Sequence, residues 1–354
     1  MLKRLDPNDA CGVADPRTAA AEADLVHVSD TEPGIRRLGR KRFSYRTADG
    51  RTLEDPRTLE RIRAIVIPPA WTDVWICPLP NGHIQATGRD ARGRKQYRYH
   101  ERWTTCRGET KFSTLARFAD ALAAIRAAVD QDLRRRGLPR ERVVASVVWL
   151  LDNTMIRVGN AAYARDNKSF GLTTLRARHV EVAGSTLRFE FKGKSGKDWR
   201  IRLVDRRMAR ILRQIQELPG QHLFQYLDES GDRRRIGSDD INAYLREASG
   251  EAFTSKHFRT WGATIHAAAL FAATPVPETK TARKRVANVT IDAVATRLGN
   301  TRAVCRSCYI HPRVFEEWEA GTLADNLRRA RGRKRQAPGL DDEETTVRAW
   351  LAQD

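Results

Sequence analysis

HVEVAGSTLRFEFKGKSGKDWRIRLVD, residues 179–205, combines three segments of alternating apolar and polar residues with two turns. Apolar side chains recur at about every second position in HVEVAG, STLRFEFKG and DWRIRLVD, a period typical of β-strands with one buried face. Gly184 and the GKSGK stretch at 193–197 supply the turns. The stretch therefore predicts a three-stranded β insert.

Helical patterns flank this insert on both sides. Residues 111–136 are rich in Ala, with apolar residues at helical spacing, and 140–156 continue as a second helix. Further helices are predicted around 206–217, 238–249, 255–272, 280–298 and 312–320.

The first part of the chain has a different texture. FSYRTADGRTL (43–53) and HIQATGRDARGRKQYRYH (83–100) each read as strand, turn and strand. Between them, LERIRAIVIPPAW (59–71) predicts a short helix that is stopped by Pro68 and Pro69. This part of the sequence predicts a small module of strands and one helix.

Together these patterns predict an α+β protein with a small N-terminal β-rich domain and a larger, mainly α-helical domain that carries the insert. The domains are expected at 1–108 and 109–328, with the first 30 or so residues poorly ordered. Residues 329–354, a basic run and then an acidic segment, are expected to form a charged tail with one exposed helix.

The charge of the chain indicates its partner. The formal net charge is +20 and the pI is about 10.3, an excess that usually accompanies binding to a polyphosphate such as a nucleic acid. No run approaches the roughly 18 apolar residues needed to span a bilayer. The N-terminus, MLKRLDPNDACGVAD, lacks the apolar segment of a secretory signal. We therefore expect a cytoplasmic protein at the bacterial nucleoid, with no membrane partner.

The second predicted hairpin carries a basic and aromatic cluster. ATGRDARGRKQYRYHERW (86–103) interleaves Lys and Arg with aromatic residues, which favours nucleic-acid contact over a merely solvated loop. Side chains on such a strand can meet phosphates, sugars or base edges. The predicted DNA contacts are Arg89, Arg92, Arg94, Lys95, Gln96 and Tyr97, together with Lys256 further along the chain.

RLGNTRAVCRSCYIHP (297–312) leaves three interpretations open: a metal half-site, a thiol redox pair, or the setting of a reactive tyrosine. Cys305 and Cys308 form a C-x-x-C, but no second Cys or His pair follows at zinc-site spacing, and His311 lies too close behind. A redox pair would need a βαβ context, which is missing. Two small buried thiols on a helix are the better prediction. The chain has five cysteines, at 11, 77, 106, 305 and 308, an odd number that argues against a disulfide framework.

Several catalytic motifs are missing from the sequence. It contains no G-x-x-x-x-G-K-[ST], and Gly193–Lys197 has the wrong spacing for a P-loop. It contains no H-E-x-x-H and no acidic cluster typical of a two-metal nuclease. Any chemistry on DNA is therefore predicted to need no nucleotide, no cofactor and no obligatory metal.

A set of motifs spread along the chain becomes informative as an ordered group. IPPAW and TGRDARGRKQYRYH lie in the first half, and GNAAYARDNKSFGLTTLRARHV, FKGKSGK, SKHFRTWGAT and the RLGN…SCYIHP end lie in the second. With these motifs the chain resembles the type IB DNA topoisomerases, specifically their small poxvirus-like bacterial branch, from about Gly34 to Gly321. The resemblance implies a catalytic domain shared with tyrosine recombinases. It also implies a monomer that closes around duplex DNA.

The resemblance carries the roles of the family's catalytic residues to five positions. Tyr309 would be the nucleophile, Arg157 and Arg259 would bind the scissile phosphate, Lys194 would be the general acid, and Asn300 would contact the phosphate. The implied reaction is ATP-independent relaxation of supercoiled DNA by single-strand cleavage, through a 3′-phosphotyrosyl intermediate, strand swivelling and religation.

Two departures and two rival functions accompany this prediction. Lys256 stands where recombinases usually carry a histidine, and Asn300 stands where poxvirus enzymes have one, so it can donate only an amide N–H. No separate general base for Tyr309 is evident. A tyrosine recombinase would share the chemistry but usually has an all-helical N-terminal domain. An architectural DNA-binding protein would explain the charge but not the ordered set of residues.

Overall fold

The computed structural model describes residues 16–39, 42–104, 112–332 and 338–353. The chain divides into two compact units, Met1–Phe112 and Ser113–Asp354. The domain boundary predicted at 108 lies outside the described residues. Within the described ranges, no helix is both long enough and apolar enough to cross a membrane.

The first unit is built on a five-stranded antiparallel sheet with the order β2-β1-β3-β4-β5. The strands are β1 Ile35–Leu38, β2 Ser44–Arg46, β3 Thr72–Ile76, β4 Ile84–Arg89 and β5 Lys95–Tyr99. The hairpin predicted at 83–100 is confirmed as β4 and β5. In the hairpin predicted at 43–53, β2 is followed by a single bridge between Arg46 and Thr52.

Two helices accompany this sheet, α1 (Pro16–Glu22) and α2 (Pro56–Ala64). The helix predicted before Pro68 and Pro69 is confirmed as α2. It begins where Asp55 Oδ2 accepts a hydrogen bond from Thr58 N at 2.8 Å, an N-cap that satisfies one of the free N–H groups of the first turn. Ile62 packs from α2 onto the sheet residues Ile35, Val74, Ile76 and Ala86.

The expectation of poor order through residue 30 is wrong for the described part of that segment. Ala19 and Ala20 of α1 are buried with Leu25 and Trp103. Small alanine side chains can pack closely, so an Ala-rich segment need not be a free tail. Residues 1–15 lie outside the described part of the chain.

The second unit is mainly helical. The predicted helices at 140–156, 206–217, 238–249, 255–272, 280–298 and 312–320 are confirmed, several with the same bounds, and the one predicted at 111–136 is α3 Leu115–Leu133. The other helices are α4 Arg140–Thr154, α5 Ala161–Asn167, α6 Arg206–Glu217, α7 Ser238–Ser249, α8 Ser255–Ala272, α9 Lys280–Leu298, α10 Arg302–Cys308, α11 Pro312–Glu319, α12 Leu323–Gly332 and α13 Asp342–Leu351. A large apolar core lies between these helices and one face of the β insert.

The insert is the three-stranded antiparallel sheet predicted from the alternating pattern. Its strands are β6 Val180–Ala183, β7 Thr186–Lys192 and β8 Asp198–Val204, in the order β6-β7-β8. Leu187, Phe189 and Phe191 of β7 are buried while the residues between them are exposed. This alternation places one face of the insert on the helical core. A separate two-stranded hairpin pairs β9 Gln225–Leu227 with β10 Arg233–Arg235.

The charged tail predicted from 329 onward differs from the structure. Val347 and Trp350 of α13 are 4% and 0% exposed, so this helix packs as part of the second unit rather than standing free. Arg126 on α3 pairs with Asp152 of α4 and with Glu344 of α13, at 2.7 Å in each case. Arg126 and Asp152 are distant in sequence from the tail. The pattern of charges within the tail therefore cannot show that α13 packs on the second unit.

Candidate active site

The proposed catalytic residues come from five different elements of the second unit. Arg157 follows α4, Lys194 lies in the turn between β7 and β8, Arg259 lies in the second turn of α8, Asn300 follows α9, and Tyr309 follows α10. The helical core brings the segments that carry four of them together. Lys194 is the exception, because its side chain is exposed in the turn between β7 and β8.

Arg259 is the buried centre of this group, with 3% of its surface exposed. Its guanidinium donates hydrogen bonds to the carbonyl of Met155 and, at 2.8 Å, to that of Leu298. These two carbonyls end α4 and α9, so one side chain ties together the helices that precede Arg157 and Asn300. Burial lowers the pKa of Arg259 to about 10, which leaves it charged at neutral pH.

The loop that carries Arg157 is held by its own backbone. Leu172 N donates to Arg157 O at 2.9 Å, and Thr173 N donates to Val158 O at 2.7 Å. These bonds join residues 157 and 158 to residues 172 and 173, so they close the segment that carries α5 and most of the GNAAYARDNKSFGLTT motif. Arg157 is half-buried, and its guanidinium donates a hydrogen bond to Asn300 Oδ1.

The side-chain amide of Asn300 has its oxygen hydrogen-bonded, to Arg157, and its nitrogen unsatisfied. Its side chain is 7% exposed, and its Nδ2 is buried with no hydrogen-bond partner among the described residues. An unsatisfied buried amide is costly, and an oxygen of a bound phosphate would satisfy it. This geometry fits the predicted amide contact to a phosphate.

Tyr309 lies against Arg259, with the guanidinium carbon 5.1 Å from the centre of the phenol ring. Burial on its own would raise the pKa of this phenol. The positive charges of Arg259, Arg157 and Lys256 outweigh burial and hold the pKa of Tyr309 below its usual value of 10. The site therefore favours loss of the phenol proton, which a nucleophilic tyrosine must undergo.

The residues around Tyr309 fix its backbone. Thr264 Oγ1 donates to Tyr309 O at 3.3 Å and accepts from His311 N at 3.2 Å. Ile310 is fully buried, and His311 caps α11 by accepting from Arg313 N at 3.2 Å. Sequence reasoning missed Thr264, although it lies within the SKHFRTWGAT motif.

The metal and redox interpretations of this stretch find no support in the described part of the chain. No group of three His, Cys, Asp or Glu side chains there is placed to hold a metal ion. Burial lowers the pKa of His311 to about 4, so this ring is a neutral helix cap. Cys305 and Cys308 are both free, but only Cys305 is buried. The prediction of two buried thiols is wrong for Cys308, which ends α10 on its exposed side.

The turn between β7 and β8 places a different lysine, Lys197, beside Asn300, and sequence reasoning missed it. Lys197 Nζ donates to the backbone carbonyl of Asn300 at 2.6 Å, and Lys197 is half-buried. The sequence held a signal for it, the second lysine of GKSGK, but which lysine faces the core depends on the path of the turn.

The predicted DNA contacts are divided between the two units. Six lie on the β4–β5 hairpin, whose turn is organised by Asp90. Asp90 accepts from the backbone of Arg92 at 2.9 Å and from Arg94 Nε at 2.8 Å, and hydrogen bonding from Arg94 lowers its pKa to about 2. Gln96 Nε2 also donates to Asp90, at 2.9 Å.

The rest of the hairpin has its own partners. Lys95 pairs with Asp30 at 2.7 Å, and Tyr97 stacks on Tyr99 with ring centres 5.7 Å apart. Arg89 Nε lies 3.4 Å from Asp73 Oδ2. The side chain of Arg92 is exposed at the tip of the turn.

Lys256 does not lie with the hairpin residues. It is exposed in the first turn of α8, one turn before Arg259, and its charge contributes to the lowered pKa of Tyr309. The structure thus groups Lys256 with the candidate catalytic residues of the second unit.

Comparisons with known proteins identify the family of this chain. A family model described as eukaryotic DNA topoisomerase I, catalytic core, matches residues 100–333, more than half of the chain. A second, described as bacterial DNA topoisomerase IB, N-terminal domain, matches residues 42–90. The chain therefore belongs to the type IB DNA topoisomerases, as its motifs predict.

Individual relatives cover different shares of the chain. DNA topoisomerase 1B of Acanthamoeba polyphaga mimivirus is 34% identical over 277 residues, which are 76% of this chain and 82% of that protein. DNA topoisomerase 1 of Mycosarcoma maydis is 24% identical over 44% of this chain and 17% of its own length. DNA topoisomerase 1B of vaccinia virus is 27% identical over 30% of this chain and 34% of its own length.

Proposed function

We propose that this topoisomerase relaxes supercoiled duplex DNA without ATP, by cutting one strand through a 3′-phosphotyrosyl intermediate. The observation that carries the proposal is the placement of the Arg259 guanidinium 5.1 Å from the Tyr309 ring. A permanently charged guanidinium beside a phenol makes loss of the phenol proton easier. The same guanidinium can bind the phosphate that the phenol oxygen attacks.

In the cleavage step the phenol oxygen of Tyr309 attacks the phosphorus of one phosphodiester. A bond forms between this oxygen and phosphorus, and the bond from phosphorus to the 5′ oxygen breaks. The phenol proton passes to solvent as attack proceeds, and Lys194 gives a proton to the departing 5′ oxygen. The products are a 3′-phosphotyrosyl strand and a free 5′-hydroxyl.

The other residues stabilise the charge that develops on the nonbridging oxygens. The guanidiniums of Arg157 and Arg259 donate to these oxygens, and Asn300 Nδ2 adds a neutral donor. Losing one such donor typically slows a reaction by about two to three orders of magnitude. The bond between Arg157 and Asn300 Oδ1 fixes the orientation of the amide, so that its N–H rather than its oxygen faces the anion.

Relaxation follows from the reversibility of this step. The free 5′ end rotates about the intact strand and removes superhelical strain. Its hydroxyl then attacks the phosphotyrosine, which releases Tyr309 and restores the phosphodiester. The phosphotyrosyl link keeps the energy of the broken phosphodiester bond. Religation therefore needs no nucleotide.

The proposal includes duplex DNA as the substrate, with the β4–β5 hairpin as one contact and the enzyme acting as a monomer at the bacterial nucleoid. Arg92 at the tip of the hairpin would bind phosphate, while Tyr97 would contact sugars or bases.

The test uses supercoiled plasmid without ATP or added metal. The parent should relax it, and Tyr309→Phe should bind DNA but leave it supercoiled. Tyr226→Phe, on β9 outside the site, is the matched control and should relax plasmid at the rate of the parent. Covalent adducts trapped with detergent should carry protein on the 3′ end of the cut strand. Relaxation by Tyr309→Phe, or protein on the 5′ end, would refute the proposal.

A further inference from the structure

The lysine of the β7–β8 turn that bonds to a candidate active-site residue is Lys197, whereas the side chain of Lys194 is exposed. Lys197 Nζ bonds to the carbonyl of Asn300 at 2.6 Å, while Lys194, three residues earlier, is exposed. The ammonium therefore attaches the turn to the backbone of the residue that is proposed to contact the phosphate. A hydrogen bond from a charged donor is stronger than one between neutral groups.

The turn itself is short and internally bonded, so its two lysines cannot move independently. Gly193 N donates to Lys197 O at 2.8 Å, and Gly196 N donates to Gly193 O at 3.1 Å. Ser195, between them, has a φ of 64°, a left-handed conformation that seldom persists in a non-glycine residue unless its surroundings hold it. Fixing Lys197 thus fixes the backbone of Lys194.

Trp199 provides a second attachment at the same place. A Cβ at Gly193 would lie 2.5 Å from Trp199 Nε1, and a Cβ at Gly299 would lie 2.6 Å from Trp199 Cζ2. The indole is therefore packed between the start of the turn and the residue before Asn300. Gly299 also ends α9 with a φ of 58°, which glycine adopts without strain.

We infer that Lys197 is a positioning residue that couples the general-acid turn to the phosphate-binding residues. The connection runs from Lys197 to the Asn300 carbonyl, and from the Asn300 side chain to Arg157. Its effect is to place Lys194 over the 5′ oxygen when Asn300 and Arg157 hold the phosphate. This inference rests on the proposed function of Lys194 and Asn300.

The test compares Lys197→Met with Lys192→Met in single-turnover cleavage of duplex DNA. Methionine keeps much of the side-chain length and removes the charge. Lys192 is exposed at the end of β7, opposite Asp198 in the sheet register, and its loss is the matched control. Two substrates are used, one with an ordinary phosphodiester and one with sulfur in place of the 5′-bridging oxygen.

On the ordinary substrate, Lys197→Met should cleave about 10- to 100-fold more slowly than the parent, the size expected for one charged hydrogen bond. On the sulfur substrate the loss should shrink to within about threefold, because a thiolate leaves without protonation. Lys194→Ala should show the same pattern. The double variant should be no slower than Lys194→Ala, since Lys197 acts through Lys194. Lys192→Met should match the parent on both substrates.

Four outcomes would overturn the inference. Equal rates for Lys197→Met and the parent would remove the positioning role. Losses that multiply in the double variant, or that persist on the sulfur substrate, would show that Lys197 acts apart from Lys194. If Lys194→Ala itself showed no rescue by sulfur, the general-acid assignment in the proposed function would fail, and the inference with it.

Discussion

Replacing Arg126 by methionine should strongly destabilise the second unit, although this residue lies outside the active site. Its guanidinium binds both carboxylates of its cluster through paired oxygens, with donor–acceptor distances of 2.7 and 3.0 Å to Asp152 and of 2.7 Å twice to Glu344. The side chains of Asp152 and Glu344 are 17% and 9% exposed. Arg126→Met would leave both largely buried without their cation.

The expected loss in the free energy of unfolding follows from removing one partner of a buried ion pair, which typically costs about 3–5 kcal/mol. Because Arg126 itself is 31% exposed, solvent screening places the expected loss near the lower end, about 3 kcal/mol. For a unit of this size that corresponds to a fall in Tm of about 6–12 °C. Arg117→Met, on the same helix, is the matched control. Its pair with Glu251 has side chains 66% and 34% exposed and should contribute at most about 1 kcal/mol.

The assay is calorimetric unfolding of both variants at two pH values. Burial raises the pKa of Asp152 in the parent. Burial also acts to raise the pKa of Glu344, but its hydrogen bonds, that from Arg126 foremost, hold this pKa below its usual value. Loss of Arg126 should raise the pKa of both carboxyls. A carboxyl whose folded pKa is above its unfolded pKa destabilises the fold by an amount that grows as the pH rises from the unfolded pKa to the folded pKa and is complete above the folded pKa. The gap between Arg126→Met and the parent should therefore narrow from pH 7.5 to pH 5. A Tm loss no greater than that of Arg117→Met would refute the reasoning.

Three further predictions concern the site and the hairpin. Lys256→Ala removes a charge that lowers the pKa of Tyr309, so the pH–rate profile of single-turnover cleavage should shift to higher pH while the plateau changes little. Asn300→Ala should slow cleavage about 100-fold by removing one donor, and Asn300→Asp should slow it more, because it places a negative oxygen against the phosphate. Arg92→Ala should weaken DNA binding and reduce the salt slope of binding by about one. Lys95→Ala should do so less, since Asp30 already neutralises that ammonium.

Each of these has an outcome that contradicts it. An unchanged pH profile for Lys256→Ala would show that the charge of Lys256 does not lower the pKa of Tyr309. An Asn300→Asp variant as active as Asn300→Ala would exclude a donor role for the amide. Equal salt slopes for Arg92→Ala and the parent would remove the hairpin tip from the DNA contacts.

Much of the fold could be predicted because its signals are local. The predicted bounds 206–217 and 280–298 agree with α6 and α9, whose first turns are capped by Asp205 and Thr279, residue types that mark helix starts. The alternation in 179–205 predicted the insert for the same reason, since a period of two residues needs no knowledge of distant contacts.

What could not be predicted depends on contacts far apart in sequence. The acidic segment after 338 looks like a solvated tail until Arg126 is placed beside Glu344, 218 residues away. Likewise, GKSGK contains two lysines, Lys194 and Lys197, and only the path of the turn shows which one reaches Asn300. The exposure of Cys308 depends in the same way on how the short helix α10 lies on the core.

The packing of α13 also bears on how the enzyme is made. This helix is synthesised after every residue of the proposed active site, yet Trp261, two residues after Arg259 on α8, donates to Glu344 Oε1 at 3.3 Å. In addition, Arg313, which lies just beyond Tyr309 in the chain, donates a hydrogen bond to the backbone carbonyl of Trp350 at 3.0 Å. A nascent chain that has exposed Tyr309 but not α13 therefore lacks these contacts of the segments that flank the proposed nucleophile. We expect the proposed cleavage activity to arise only once α13 has been synthesised.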